Sequence, residues 1–438
     1  MSQQTLAEPR LKSVGQLRTY EPIRRAWSSL SSLGQDGVLY VGAGLFAWLL
    51  GVFSSQPAQW QWGYLSVGPY CVAGLLALVM TWRRPRRPRR EFVVRVLLLF
   101  VVLLGAVAVP LGLEARWRQL DPGKQFAQPE VSVIERSGAA LSKGEDPYRS
   151  YLKNGRVVNE VPGEPAFESF FPYFPLMGVF GLPSAETKKG RGLTDARIVM
   201  TLMTLMVSAA ALRMLRASRE DKLRVAQVLL ALPTGALFLS TGGDDMPILA
   251  LSLLGVVALQ RRKTNLAGIS LGVAAAMKLT AWPLAAGSLL VARSDRGRPV
   301  WWRVLLWIAT IVLVTVVPFA WRSPHAFVAN VFAFPLGLAG VSSPAASALP
   351  GHVLTTWMPF LGHVLTPAAL VVGGYFATRY ARRVWPLSLS QLLGLMSIAF
   401  LILICVASAT RVGYVIYPLN FALWASVCRR REESVLVA

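Results

Sequence analysis

Carboxylates able to act as acid–base groups are concentrated in one polar stretch, residues 121–148, of an otherwise mostly apolar chain. Apolar and charged residues alternate there with helical spacing, which predicts a short amphipathic helix at a membrane surface. Glu130 follows Pro129 at the predicted helix N-terminus, where the helix dipole favours an ionised carboxylate. We expect Glu130 to be the general base of any reaction, although a solvated helix end would show the same pattern. Asp121 and Glu135 are the alternatives, and Glu135, five residues after Glu130, points in a different direction.

Two cations occupy apolar surroundings in which an anionic group could be held. Arg411 lies in a very short turn between two apolar runs and is followed by Tyr414 and Tyr417. An arginine there suits bidentate contact with a phosphate, or else only reaches from the helix end to the membrane interface. Lys278 lies inside an apolar run. A lysine at membrane depth indicates a functional site, with a structural ion pair as the alternative.

Further polar side chains could bind a sugar or an acceptor molecule. The candidates for these contacts are Asp146, Tyr148, Asp244, Asp245 and His352. Asp146 precedes a proline, which also favours a role in forming a turn. Asp244 and Asp245 form an acidic pair that could bind sugar hydroxyls, a cation or the intramembrane lysine. His352 belongs to a segment rich in Pro, Gly and Ser, where an ordinary surface histidine is equally expected.

The composition identifies a polytopic membrane protein. The 438 residues are 54% hydrophobic and only 15% charged, whereas a soluble protein carries about 25% charged residues. The net charge of +23 could indicate nucleic-acid binding. Because the basic clusters flank apolar runs, as the positive-inside rule requires, we expect no nucleic-acid partner. The three cysteines and three histidines lack metal-ligand spacing, so we expect no disulfide and no zinc site.

The arginine run Arg83–Arg90, with six arginines in eight residues, orients the whole chain, since it should lie in the cytoplasm. The sequence then predicts ten full spans at 38–54, 63–82, 92–113, 197–215, 225–240, 246–259, 304–320, 361–378, 391–409 and 412–427. A short hairpin over 265–291, turning near Lys278–Pro283, brings the count to twelve membrane helices.

This topology divides the chain into a cytoplasmic tail (1–36), a two-span hairpin with its basic loop (37–91), a membrane catalytic domain (92–428) and a second cytoplasmic tail (429–438). The first external loop, 114–195, contains interfacial helices. Thirteen of the 22 acidic residues lie in this loop and in residues 242–245. We therefore expect a multi-pass protein of the cell membrane, with both termini cytoplasmic and the active site outside.

An aromatic segment, 167–183, follows in the same loop and is interrupted by Pro172 and Pro175. It is too short and too kinked to span the membrane. The pattern favours an interfacial or re-entrant segment in contact with lipid chains. A segment that only seals the fold is the alternative.

Three motifs, in this order and spacing, resemble glycosyltransferase family eighty-seven of the GT-C superfamily, the polyprenyl-phosphate-mannose-dependent mannosyltransferases, which are often actinobacterial. EVSVIERSGAALSKGEDPY (130–148) resembles the motif of the family's first external loop, with Glu130 in the place of an aspartate. FPYFPL (171–176) resembles a Tyr-Pro-Pro-Leu segment, and NLAGISLGVAAAMKLTAWP (265–283) resembles a hairpin with Lys278 in the lysine position. The resemblance covers roughly residues 92–430.

The resemblance implies an all-α, GT-C-like fold and a transferase that moves a sugar, mannose in the first place, from a polyprenyl-phosphate donor. The acceptor would be a lipid or a glycan. Glu130, or else Asp121 or Glu135, would take the acceptor proton in a single displacement, while Arg411 and Lys278 would stabilise the departing phosphate. No cofactor is implied, and the need for a divalent cation is left open. A transporter or flippase of lipid-linked sugars is the alternative function, and a non-catalytic assembly subunit is the third.

Overall fold

The computed structural model describes residues 21–83, 88–121, 126–187, 192–294, 300–341 and 345–437. Most of the predicted N-terminal tail (1–20) lies outside the described residues. So do residues 84–87 of the arginine run, 122–125 of the polar stretch, and the loop arginines Arg296 and Arg298.

The described chain is almost entirely helical, as predicted. The first half contains α1 Glu21–Ser29, α2 Ser32–Phe53, α3 Pro57–Arg83, α4 Pro88–Leu103, α5 Val109–Leu120, α6 Pro129–Ser142, α7 Leu182–Ala185, α8 Ala196–Met214 and α9 Arg219–Ala226. The second half contains α10 Pro233–Thr241, α11 Asp245–Gln260, α12 Thr264–Ala275, α13 Trp282–Ser294, α14 Trp301–Arg322, α15 Pro324–Val328, α16 Pro350–Trp357, α17 Leu365–Arg383, α18 Leu389–Val406 and α19 Ile416–Val437.

Short helical pieces of other geometry join or interrupt these helices. The π-helical pieces are Leu104–Ala108, Gln227–Ala231 and Ala329–Ala333. The 3-10 helices are Ala166–Ser169, Pro175–Gly181, Gly192–Thr194, Leu279–Ala281, Pro359–His363 and Val412–Val415.

Six helical segments of the described chain are long and apolar enough to cross a membrane. They are Ser32–Phe53, Pro57–Trp82, Pro88–Leu120, Ala196–Met214, Trp301–Arg322 and Leu389–Val406. Arg219–Ala231 and Pro233–Thr241 meet at an angle of 44° and make a seventh if they form one bent span. The predicted count of ten full spans is therefore not confirmed. The predicted spans 246–259, 361–378 and 412–427 correspond to α11, α17 and α19, which do not meet the same criteria.

Two helices are longer than the sequence predicts. The third span continues without a break from Pro88 to Leu120, so that this helix includes the first residues of the predicted external loop, Arg118 among them. The last helix continues to Val437 through most of the predicted C-terminal tail.

The predicted hairpin is present, because α12 and α13 are separated by a break at residues 276–281. Lys278 lies in this break with an extended backbone. The external loop covers the break: the Phe174 N–H donates to the Met277 carbonyl at 2.9 Å, and the Leu176 N–H donates to Ala276 at 3.3 Å. These bonds satisfy carbonyls that the interrupted helix would leave without partners.

The external loop contains one element that the sequence analysis did not predict, a two-stranded antiparallel hairpin of β1 Tyr151–Lys153 and β2 Arg156–Val158. Its turn is Asn154–Gly155, and both residues have positive φ, 51° and 76°. Asn-Gly between short apolar-containing runs is a strong hairpin signal, so this element could have been found.

Most of the phenylalanines of the aromatic segment 167–183 pack into the protein. Phe170, Phe171 and Phe174 are at most 2% exposed. The 3-10 helix Pro175–Gly181 lies directly against α6, and Gly138 and Gly181 meet so closely that a Cβ on Gly138 would approach Gly181 to 2.2 Å. The observed packing fits the alternative in which the segment seals the fold, and this contact fixes the position of α6.

Candidate active site

One cavity of about 630 Å³ lies where the external loop meets the membrane helices. It is bordered by the first turn of α6, the N-terminus of α11, the tip of the α12–α13 hairpin and the segment before α19. Six charged side chains line it: Glu130, Glu168, Asp244, Asp245, Lys278 and Arg411. Five of these are among the site residues predicted from the sequence.

Glu130 and Arg411 form an ion pair across the cavity, although they are 281 residues apart in the sequence. Glu130 lies in the first turn of α6, directly after Pro129, and Arg411 directly precedes the 3-10 helix Val412–Val415. The two side chains are 15% and 29% exposed, respectively, so the pair is largely shielded from solvent. The second carboxylate oxygen, Glu130 Oε2, is buried and has no hydrogen-bond partner among the described residues. It is therefore free to accept a proton or a hydrogen bond from a ligand.

Lys278 is held by the acidic pair at the N-terminus of α11. Its Nζ lies 2.7 Å from Asp244 Oδ2 and 2.5 Å from Asp245 Oδ1. Asp245 Oδ1 also accepts from the Tyr417 hydroxyl at 2.6 Å. The sequence left open whether this acidic pair contacts sugar hydroxyls, a cation or Lys278. In the structure it contacts Lys278. Burial raises the pKa of Asp244 to about 6, even though Lys278 lowers it.

Aromatic rings complete the surroundings of Lys278. Its Nζ lies 5.5 Å from the ring centroid of Tyr173 and 5.7 Å from that of Tyr414. An ammonium group has three N–H donors; one donates to Asp245, and Asp244 lies within ion-pair distance. A remaining N–H can serve a ligand within the cavity.

Glu168 is a site residue that the sequence analysis missed. It belongs to the 3-10 helix Ala166–Ser169, is buried and lines the cavity. Burial, reinforced by neighbouring Glu164 and opposed by Arg136, raises its pKa to about 7. The signal was present in the sequence, because Glu168 is the one acid between the phenylalanines of the aromatic segment 167–171.

The remaining wall of the cavity is mostly apolar and is formed by membrane helices. Its residues come from α13 (Trp282, Pro283, Ala286), α17 (Leu370) and α18 (Phe400, Leu403, Ile404). A cavity with charged groups at one end and hydrocarbon-like walls at the other suits an amphipathic ligand with an anionic head.

Glu135 lies away from the cavity, in a buried network of ions. Arg118 donates to both of its carboxylate oxygens at 2.9 Å, and also to Asp195 at 3.0 Å. Arg197 joins Asp195 at 2.9 Å to Glu114 at 3.2 Å. The network ties α5, α6 and the start of α8 together, which gives Glu135 a structural task.

The other predicted site residues do not line this cavity. The Asp121 N–H donates to the Trp117 carbonyl at the end of α5. Asp146 accepts from the Tyr148 N–H at 2.9 Å, and the Tyr148 hydroxyl donates to the Tyr173 carbonyl at 2.7 Å. His352 Nδ1 lies 3.0 Å from the Ser408 carbonyl. Their roles in binding or catalysis stay predictions.

In the described ranges, no group of three or more His, Cys, Asp or Glu side chains has an arrangement that could hold a metal ion. The charged groups available to a ligand are therefore the four carboxylates, the lysine and the arginine that line the cavity.

Comparisons with known proteins place the chain in a family. No curated protein matches it. Among solved structures it is similar to ArnT from Cupriavidus metallidurans bound to undecaprenyl phosphate, with 19% sequence identity and a TM-score of 0.45. The similarity covers 79% of this chain and 61% of the ArnT chain. The family model of glycosyltransferase family 87 matches residues 171–409, more than half of the protein, and the chain therefore belongs to glycosyltransferase family 87.

Proposed function

We propose that the protein transfers a hexose, mannose in the first place, from a polyprenyl-phosphate donor to a hydroxyl of a lipid or glycan acceptor. The proposal rests on one observation: a carboxylate with a free oxygen, two cations and an apolar wall all line the same cavity. Membership of glycosyltransferase family 87 supports the class of reaction.

Glu130 is the proposed general base. The acceptor hydroxyl gives its proton to Glu130 Oε2 while its oxygen forms a bond with the anomeric carbon of the sugar. The bond between that carbon and the phosphate oxygen breaks, and its electron pair leaves with the polyprenyl phosphate. Asp245 is less suited to this role, because one of its oxygens already accepts from both Lys278 and Tyr417.

Arg411 and Lys278 are the proposed partners of the donor phosphate. Arg411 has five N–H donors, so it can keep Glu130 in place with one and contact phosphate oxygens with others. Lys278 is already fixed by Asp244 and Asp245, which reduces the loss of side-chain freedom when a phosphate binds. The two cations offset the negative charge that develops on the leaving phosphate.

The apolar wall formed by α13, α17 and α18 is the proposed site of the first isoprene units of the donor. Such a chain binds by burial of apolar surface, and the rest of it remains in membrane lipid. The basic residues at one end of the helices support a cytoplasmic location of both termini. The cavity then opens on the outer face of the cell membrane.

The test is transfer of radiolabelled mannose from polyprenyl-phosphate-mannose to lipid and glycan acceptors by the purified protein. For Glu130→Gln we expect kcat to fall by about 10²–10⁴-fold, with the KM for the donor nearly unchanged. Arg411→Ala should raise the donor KM and lower kcat together, because the ion partner of Glu130 is lost as well.

The matched control is Glu186→Gln, which makes the same change on an exposed carboxylate that does not line the cavity. It should behave as the wild type. Equal transfer by the wild type and Glu130→Gln would refute the assignment of the base. Absence of any transfer by the wild type across all hexosyl donors would refute the proposed function itself.

A further inference from the structure

A second cavity, of about 410 Å³, lies between the external loop and the start of α15 and shares no lining residue with the first. We name it the outer cleft; its walls include Asp146, Tyr148, Arg149, Tyr151, Asn159 and His325. Tyr148 connects the two cavities. It lines the outer cleft, and its hydroxyl donates to the backbone carbonyl of Tyr173, which lines the first cavity. The reaction proposed above makes no use of this space.

Asp146, which borders the outer cleft, has a carboxylate oxygen without a partner. Asp146 is 7% exposed, and its Oδ1 accepts from the Tyr148 N–H in a tight turn. Its Oδ2 is buried and has no hydrogen-bond partner in the described part of the chain. A buried oxygen of this kind is costly to leave unsatisfied, so a donor from a ligand or an ordered water is expected there.

The other walls of the cleft combine hydrogen-bonding groups with aromatic rings. Arg149 is fixed, since its Nε donates to the Asp146 carbonyl at 2.9 Å. Asn159 is anchored by its amide, which donates to the Arg149 carbonyl at 2.9 Å. The rings of Tyr151 and His325 pack edge to face, with centroids 4.8 Å apart. The fixed polar groups and the aromatic edge are therefore preorganised for a ligand.

We propose that the outer cleft binds a hexose unit of the acceptor glycan, apart from the hydroxyl that reacts. Asp146 and Arg149 are the charged residues among the lining, and Arg149 also pairs with Glu145, so the cleft has no excess positive charge for a phosphate. An uncharged ligand with many hydroxyls fits these walls better. Sugar hydroxyls would donate to Asp146 Oδ2, and the C–H face of the ring would pack on Tyr151 and His325. The identification of this hexose as part of the acceptor rests on the proposed function; sugar binding itself does not.

Direct binding is tested by saturation-transfer difference NMR on the full-length protein in detergent, with methyl α-mannoside and mannobiose as probes. Excess polyprenyl phosphate is added to occupy the reaction cavity. We expect the saccharide signal to persist under these conditions and in Arg411→Ala. It should be lost in Asp146→Asn, which keeps the turn but replaces the acceptor oxygen, and in His325→Ala, which leaves the turn untouched.

Glu160→Gln is the matched control, because it makes the same change on an exposed side chain that does not line the cleft. In transfer assays, Asp146→Asn and His325→Ala should raise the KM for a glycan acceptor by about tenfold. The kcat and the donor KM should remain within about twofold of the wild type. Glu160→Gln should leave all three constants unchanged.

Loss of the saccharide signal on addition of polyprenyl phosphate would overturn the proposal, because binding would then belong to the reaction cavity. The same holds if the wild type gives no signal, or if both cleft variants bind as the wild type does; Asp146 Oδ2 would then be satisfied by water alone. If saccharides bind in the cleft but no sugar is transferred, the proposed function is refuted, whereas saccharide binding by the outer cleft is supported.

Discussion

Four carboxylates line the reaction cavity, and their partners determine how much negative charge each one presents to a ligand. Glu130 shares one oxygen with Arg411 and keeps the other free. Asp244 and Asp245 share Lys278. Glu168 lies next to another acid, Glu164, which adds to the effect of burial in raising its pKa, while nearby Arg136 lowers it. Its protonation therefore changes the net charge of the cavity.

Protonation of Glu168 should appear in the pH dependence of donor binding. Below a pH of about 7 this carboxyl group is neutral, because burial raises its pKa, and above that pH it is negative. A negative group in the cavity repels the donor phosphate, which is charged throughout this range. We expect the apparent donor KM to rise about three- to tenfold between about pH 6 and pH 8.

In Glu168→Gln this rise should be absent, and any change centred near pH 6 belongs to Asp244. Steady-state kinetics at saturating acceptor measure both profiles. A donor KM that rises equally in Glu168→Gln and the wild type would contradict the assignment.

Glu135 should behave as a structural residue, in contrast to Glu130. Glu135→Gln removes one of the two acidic partners of buried Arg118, which keeps Asp195, and we expect a loss of about 1–3 kcal/mol in the free energy of unfolding. We expect a clearly lower melting temperature in detergent, with kcat per folded molecule reduced far less than in Glu130→Gln. A Glu135→Gln protein as stable as the wild type but inactive would instead identify Glu135 as the base.

At the scale of elements, α6 decides where Glu130 lies, and two contacts fix α6. One is the buried ion network through Glu135 and Arg118. The other is the close packing of Gly138 on Gly181 in the 3-10 helix Pro175–Gly181. At the start of that 3-10 helix, the N–H groups of Phe174 and Leu176 donate to the tip of the α12–α13 hairpin. The external loop and the Lys278 hairpin are thereby held as one unit.

Gly138→Ala tests this contact. An added Cβ would lie 2.2 Å from the backbone of Gly181, so α6 must shift, and we expect destabilisation of about 1–3 kcal/mol together with reduced transfer. Gly112→Ala is the matched control in α5, because nothing lies within 4 Å of an added Cβ there. Thermal unfolding and the transfer assay measure the pair. Equal melting temperatures of the two variants would show that the Gly138 contact does not position α6.

At the scale of the whole molecule, the N-terminal helices are firmly attached to the rest. Arg95 of α4 and Arg224 of α9 both pair with Asp36 of α2, at 2.5 Å and 2.9 Å. The Tyr70 hydroxyl of α3 donates to the Ala231 carbonyl at 2.6 Å. Helices α2 and α3, the predicted N-terminal two-span hairpin, are therefore packed against the rest of the membrane domain.

The orientation of this body is tested by labelling single cysteines in intact cells, in a background that lacks Cys71, Cys405 and Cys428. A membrane-impermeant maleimide should label Lys153→Cys, in the β1–β2 hairpin of the external loop. It should label Lys222→Cys only after the membrane is permeabilised, because that residue lies in α9, in a basic segment that we assign to the cytoplasm. The opposite pattern would invert the topology and place the cavity on the cytoplasmic side.

The sequence by itself determined the features that local pattern controls. Apolar runs located most helices, the break around Lys278 followed from a run too short for two spans, and the amphipathic pattern located α6. Residue type and position identified Asp244, Asp245 and Arg411, and motifs supported Glu130 and Lys278; all five line one cavity. The sequence did not predict the number of spans correctly enough to be confirmed. Bent or short helices, such as α9–α10 and α11, are as apolar as a span but lack the length of a straight one.

Only the tertiary structure decided which charged groups meet. The pair of Glu130 with Arg411, the entry of Glu168 into the cavity and the burial of Glu135 against Arg118 all depend on how distant helices pack. Helical periodicity fixes the direction in which a side chain leaves its own helix, and says nothing about the partner it meets. That partner is set by packing across the whole fold, where burial makes each unpaired charge costly and so selects the pairs that form.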